Sequence, residues 1–328
     1  MATVFKTLLT NDIAMTRTLL NEAIPLTGTI VSGTYNDLNI KKDYIHGMFE
    51  SVYDYPYMSS SANHIFDITY GYSSALSGAG ADNSKKLNIY NQMAQVLVGY
   101  DQTGSIRKFD SDGDYLGASG AASGTMDACV FLSYSRLLIK DEIKKQSYSI
   151  TINSASSPIT ISDYGANTEY RVNSPAGEYG LLYTSSVAPY GTSVGLIFYQ
   201  AGMVVLTGSA AIFDSYLDFT SALSITGTAD NVRSNWSNND FQNTTELNST
   251  IYFCRAANNE YNYSSNQTYL SESQIIVKNN NVDQPPVTYI TTIGLYSPNN
   301  ELLAVAKLSE PLKKDPATEL IFRVRLDY

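Results

Sequence analysis

Residues 250–328 read TIYFCRAANNEYNYSSNQTYLSESQIIVKNNNVDQPPVTYITTIGLYSPNNELLAVAKLSEPLKKDPATELIFRVRLDY, and this stretch decides the fold class. Tyr, Ile, Val and Leu recur at alternate places, the period of a strand with one packed face. Asn, Ser and Pro fill the connectors. Five strands are expected, at 250–256, 273–278, 287–296, 302–308 and 319–326. Ser297-Pro298-Asn299-Asn300 supplies a tight turn between the third and the fourth. The stretch holds no His and no carboxylate pair in an apolar setting. It is built to pack and to be packed against, which points to an assembly component.

Upstream, residues 147–210 carry the same signature. Tyr148, Ile150 and Ile152 alternate with Ser and Thr. Further strands are expected at 159–161, 169–172, 180–184, 195–199 and 203–207. Gln200-Ala201-Gly202 reads as the turn of a hairpin. Residues 211–249 are polar and irregular, a linker or arm with one helix near 214–222. Residues 1–146 are mixed. Thr10 or Asn11 caps an expected helix over 12–23, with Ile13, Leu19 and Leu20 on its apolar side and Pro25 beyond its end. Ser84 caps a second helix, in which Leu87, Tyr90, Ala94 and Leu97 share a face and Gly99 gives the stop. Residues 128–139 fit helix or strand. The expected class is α+β, mainly β: a small mixed helical N-terminal region (1–146), then antiparallel β-sandwich-like domains. Those domains are 147–210 and a five-stranded 250–328, separated by the polar stretch 211–249.

Composition narrows the function classes. Of 328 residues, 43% are hydrophobic, enough for a core, and only 16% are charged, below the usual ~25%. Tyr alone numbers 26 against 21 for Lys plus Arg. Tyr favours strands, and it also supplies large contact area with a polar tip, which suits protein–protein surfaces. A net charge of −10 opposes nonspecific binding to nucleic acid or anionic membranes. The pairs Lys41-Lys42, Lys85-Lys86, Lys144-Lys145 and Lys313-Lys314 read as solvated turns. Cys129 and Cys254 stand far apart with no CxxC, and Cys254 reads as a buried free thiol. The opening MATVFKTLLTNDIAM lacks a signal-peptide core, and no apolar run reaches ~18 residues. Synthesis and assembly in a cytoplasm are expected. The sequons at Asn235, Asn243, Asn248, Asn262 and Asn266 arise readily in a chain this rich in Asn, Ser and Thr.

Residue patterns that carry chemistry are sparse. Asp110, Asp112 and Asp114 alternate in Asp110-Ser111-Asp112-Gly113-Asp114, as at the start of a calcium-binding loop. Tyr115 stands where such a loop needs Gly, and Ala121 where it needs Glu, so a polar turn is the competing reading. His46 and His64 lie in no metal-binding motif, and no GxSxG is present. Asp12, Glu22, Asp54 and Asp67 are carboxylates that nothing singles out for glycoside cleavage. Gly78-Ala79-Gly80 and Gly117-Ala118-Ser119-Gly120 lack the Lys-Ser/Thr of a phosphate loop. No catalytic residue, cofactor or enzyme activity is expected. Tyr53-Asp54-Tyr55-Pro56-Tyr57 offers aromatics for sugar stacking, the basis of an alternative reading as a receptor- or glycan-binding tail-tip or fibre-associated protein.

Several strings carry a family resemblance. YFCRAANNEYNYSSNQTY, YITTIGLY, NELLAVAKLSEPLKK and RVRLDY resemble the C-terminal segment of virion structural proteins of tailed bacteriophages. The nearest likeness is to marine and cyanobacterial phages with T4-like tails. VFKTLLTNDIAMTRTLLNEAIP, LNIYNQMAQVLVGYD, RLLIKDEIKK and NSPAGEYGLLY look like the same group. The resemblance implies a structural subunit of the virion at the baseplate, neck or connector. It implies partners among other virion proteins and copies of the chain itself, with no nucleic acid and no membrane. It brings no catalytic motif.

Overall fold

The computed structural model describes residues 5–25, 41–53, 63–78, 80–114, 124–152, 158–208, 223–262, 270–271, 274–275, 283 and 286–328. A 3-10 turn at Thr10–Asp12 leads into strand β1 (Ile13–Pro25), followed by β2 (Lys41–Asp43), β3 (Glu50–Tyr53) and β4 (His64–Tyr72). After a 3-10 turn at Ser74–Leu76 come helix α1 (Asn83–Leu97), β5 (Ala128–Tyr134) and α2 (Arg136–Ile139). Then come β6 (Glu142–Ile143), β7 (Ser149–Ile152), β8 (Ile159–Ser162), α3 (Ala166–Glu169) and β9 (Tyr179–Leu182). Next are β10 (Gly195–Phe198), β11 (Met203–Thr207), α4 (Ile225–Ser234) and β12 (Trp236–Ala256). The chain continues through β13 (Leu270–Ser271), β14 (Gln274–Ile275), β15 (Thr288–Tyr296), β16 (Leu302–Lys314) and β17 (Leu320–Asp327). The protein is mainly β with antiparallel sheets and a helical minority, as the alternating sequence requires. No helix among the described residues is long and apolar enough to cross a membrane.

The chain divides into two units, Leu19–Thr245 and Met1–Thr18 with Glu246–Tyr328. The first unit is built on a seven-stranded antiparallel sheet in the order β2-β3-β4-β5-β11-β10-β9. Its middle strand, β5, is apolar at nearly every position and buried on both faces. The β10–β11 hairpin turns through Gln200-Ala201-Gly202, where Gly202 takes φ +64°. Helix α1 packs on β4. Gly71 makes that approach possible: a Cβ there would lie 2.8 Å from the Lys86 carbonyl oxygen and 2.9 Å from the Tyr90 nitrogen. Trp236, the chain's single Trp, stacks on Phe66 with ring centroids 5.3 Å apart in the middle of the core.

In the second unit, β12 pairs with β17 from Ser249↔Asp327 to Ala256↔Leu320. β15 and β16 form a separate hairpin whose turn is closed by the Asn300 N–H donating to the Ser297 carbonyl at 3.0 Å. β1 also pairs with β12.

Several local expectations change: the N-cap of α1 is Asp82, with Ser84 inside the helix, and Lys41, Lys86 and Lys314 are buried instead of standing in solvated turns. The segment expected as a helix over 12–23 is strand β1, because its backbone pairs with β12 and tertiary pairing outweighs a capping signal. The expected linker at 211–249 holds α4 and the start of β12, the longest strand among the described residues. The helix expected near 214–222 lies outside the described residues. The expected strand at 169–172 is the end of α3 followed by a single bridge, Arg171↔Tyr179. The ambiguous stretch 128–139 resolves as strand β5 and then the one-turn α2.

Gly71→Ala is expected to push α1 off β4 and cost about 1–3 kcal/mol. Thermal unfolding of the variant, with a midpoint unchanged from wild type, would contradict this packing.

Candidate functional site

The candidate site follows from how the two units bury apolar side chains. Leu19–Thr245 holds one continuous core from Val52 to Phe241, including Tyr70, Tyr72, Tyr148, Tyr199 and Trp236. In the other unit the buried apolar residues, among those described, are Ile251, Ala256 and Val324. A unit of ~100 residues needs a real core to offset chain entropy, and this one instead exposes large apolar side chains. Met15 is 80% exposed, Leu303 68%, Ile321 66% and Tyr289 62%.

The geometry of the β15–β16 hairpin explains the exposure. Ile293 and Leu295 pair with Ala306 and Ala304 on one half-buried face. The other face carries Gly294 opposite Val305 and Tyr296 opposite Leu302, with Leu303 beside them. The side chains of Tyr296, Leu302, Leu303 and Val305 stand in solvent, and the Phe5 ring touches Tyr296 at 4.5 Å between centroids. Among the described residues, β15 and β16 pair only with each other and β17 pairs only with β12, so each offers an open edge. Unpaired edges present rows of backbone donors and acceptors ready to take another strand.

Charge divides the same way. Met1–Thr18 with Glu246–Tyr328 carries nine basic and ten acidic residues, a net of −1. Leu19–Thr245 carries twelve basic and twenty-one acidic, a net of −9. The unit with the sparser core is therefore also the one that repels least.

Asp110, Asp112 and Asp114 do converge, with carboxylate oxygens within 4.8 Å of one another. The turn is tied by the Asp112 N–H donating to Asp110 Oδ1 at 3.3 Å and the Asp114 N–H donating to Asp112 Oδ1 at 3.2 Å. Burial, then the hydrogen bond and charge of Asp112, raise the Asp110 pKa. Such a trio can accept a cation. Tyr115 and Ala121 lie outside the described residues, as do residues 54–57 of the aromatic run. Tyr53 meets His64 edge-on at 5.6 Å.

The remaining sequence candidates disperse. His64 Nε2 lies 2.8 Å from Asp67 Oδ1, and His46 stacks on Tyr44. Asp12 pairs with Arg255 at 2.8 Å, and the Glu22 N–H donates to Asn243 Oδ1 at 3.1 Å. Cys129 is buried, with its thiol pKa raised by burial, and Cys254 is half-buried; both are free thiols. A polar pocket of about 310 Å³ opens beside Lys144, Gln146, Asn167 and Gln242, and these groups bond to one another.

Sequence reading missed the buried charges of Leu19–Thr245: besides Lys86, two sites hold buried carboxylates. Lys41 Nζ reaches Asp230, Asp43 Oδ2 at 3.6 Å and Glu50 Oε1 at 3.9 Å. Burial lowers the Lys41 pKa, but Asp230, Glu50 and Asp43 together raise it further. Glu50 is fully buried with neither carboxylate oxygen hydrogen-bonded, and burial first, then the Asp230 charge, push its pKa up to about 8. Asp163 is buried too. Burial drives its pKa up to about 7 against hydrogen bonds donated by Tyr199 Oη, the Gln146 N–H and the Tyr148 N–H. No periodicity marks a single carboxylate for burial, so neither site was legible.

Compared with models of protein families, with characterised proteins and with solved structures, the chain matches none. The site must be argued from its own geometry.

Unfolded, Glu50 ionises near its ordinary 4.5; folded, it holds its proton to about 8. The stabilisation is thus present below the unfolded value and is lost as pH rises through that window. Glu50→Gln is expected to flatten the fall in denaturant midpoint between about pH 5 and pH 8. Equal slopes for variant and wild type would show that Glu50 does not titrate there.

Proposed function

We propose that the chain is a structural subunit of a tailed-phage virion, at the baseplate or in the tail–neck assembly, acting through protein–protein contacts. One observation carries this reading: among the described residues, Met1–Thr18 with Glu246–Tyr328 leaves apolar side chains and strand edges unfilled, while the other unit closes its own core. A unit of this kind gains its missing burial from a neighbour, as subunits of obligate assemblies do. The strings at 252–269, 289–296, 300–314 and 323–328, which resemble virion structural proteins, fall in this same unit. The strings at 87–101, 136–145 and 173–183 of the other unit look like the same group, so the resemblance spans both units. Tyr on such a surface adds contact area at low entropic cost.

The virion is the expected location, with the chain built into it beside other virion proteins. Leu303 tests the reading because it lies in a paired strand yet points to solvent. Leu303→Asp is expected to fold, with a melting temperature within about 2 °C of wild type, since exposed substitutions cost little. It is also expected to be missing from purified particles of the phage that encodes it. Incorporation at the wild-type level would remove this surface from the assembly.

A further inference from the structure

We infer that β15 is a self-pairing strand: it adds edge to edge and antiparallel to the β15 of a second copy, about a two-fold axis at Thr292. This rests on reading the second unit's open edges as assembly surface, and it names the partner.

Three observations lead to it. The first is the open edge. Among the described residues β15 is bonded only to β16, and no hydrogen bond from any other of them reaches its backbone. The second is charge. Open edges in native proteins are commonly guarded by Lys or other charges. In this unit, β1 carries Arg17, β16 carries Lys307, Glu310, Lys313 and Lys314, and β17 carries Arg323, Arg325 and Asp327. Thr288–Tyr296, the sequence TYITTIGLY, carries none. A strand without charge desolvates none on pairing and meets no like charge in its twin. The third is the net charge of the unit, −1, which lets two copies approach where the other unit, at −9, would repel.

A second copy also supplies the matching strand. A two-fold contact presents the same patch from both sides. With the axis at Thr292, Thr288 of one copy lies opposite Tyr296 of the other. That sets a β-branched residue against an aromatic one, a pairing that sheets favour. The product is a four-stranded sheet, β16-β15 continued by β15-β16 of the second copy. The exposed Tyr296, Leu302, Leu303 and Val305 of each copy then lie on one shared sheet. A partner of a different kind would find no charge on this edge to recognise.

The test uses the full chain and sedimentation equilibrium across concentrations. Thr292 faces Lys307 within its own hairpin, so Thr292→Glu keeps a favourable pair inside the chain while setting like charges against each other across the two-fold. The double variant Thr292→Lys, Lys307→Glu does the same with signs exchanged. Wild type is expected to dimerise. Each variant alone is expected to weaken the dimer about a hundredfold, and an equimolar mixture to restore it as a heterodimer. Circular dichroism should show both variants folded. A wild type that stays monomeric at about 100 μM, far above the dissociation constant of a stable interface, overturns self-pairing. So does Thr292→Glu dimerising as tightly as wild type. If that monomer still enters particles, self-pairing fails and the assembly reading stands. If a dimer forms but never enters particles, self-pairing stands and the assembly reading fails.

Discussion

The structure depends on one long strand. β12 runs 21 residues, and both units use it. Its first half pairs with β7 and β6 and sends Trp236 and Phe241 into the core of Leu19–Thr245. Its second half pairs with β17 over eight residue pairs and supplies Ile251 and Ala256 to the other unit. Few strands this polar lie so deep. Asn239 donates its amide to the Tyr134 hydroxyl at 2.6 Å, Asn243 donates to the Leu138 carbonyl at 2.8 Å, and Thr244 Oγ1 bonds Asn21 at 2.9 Å. Each such bond offsets the ~1–3 kcal/mol of leaving a buried polar group unmet.

The two units use their residues differently. Leu19–Thr245 concentrates aromatic packing and also tolerates buried charge: Lys41 against Glu50 and Asp230, Asp163 under Tyr199, and Lys86 fully buried beneath the Tyr70 and Tyr72 rings. Buried charges cost stability unless they are paired and hydrogen-bonded. The second unit buries charge as well: Lys314 is fully buried and donates to the Asn258 carbonyl and to Asn262 Oδ1, and Asp12 is buried against Arg255. Its pairs Lys6 with Glu260 and Arg325 with Asp327 lie at the surface, where they contribute little. Its apolar side chains face outward. The proposed role in an assembly joins these facts: one unit fills its own core, and the other gains by being covered.

The sequence made the β-rich character plain wherever apolar and polar residues alternated. β7, β10, β11, β15 and β17 fall where the alternation put them. It misled at 12–23, where Asn11 and the apolar spacing imitate a helix start and only the distant partner β12 decides for strand. It misled again at 236–249, since WSNNDFQNTTELNS has no strand-like alternation. There the burial is of Asn and Thr, whose partners Tyr134, Leu138 and Asn21 lie far off in the chain. Trp236 and Phe241 were the clues that a polar stretch had an inside. The assembly surface was half legible. The alternation was visible, but its outward face shows only once the hairpin is seen to lack a cover.

The partnership of β1 and β12 also sets an order of events during synthesis. Arg17 and Glu246 form an ion pair across 229 residues of chain. At ~5–20 residues per second, β1 leaves the ribosome roughly 10–50 s before its partner exists. During that interval Ile13, Met15, Leu19 and Leu20 belong to an unpaired segment with apolar side chains in water. The seven-stranded sheet, whose strands all lie before residue 208, is free to form while β1 waits. The sheet that β1 builds with β12 and β17 therefore takes shape after the seven-stranded sheet has had time to form.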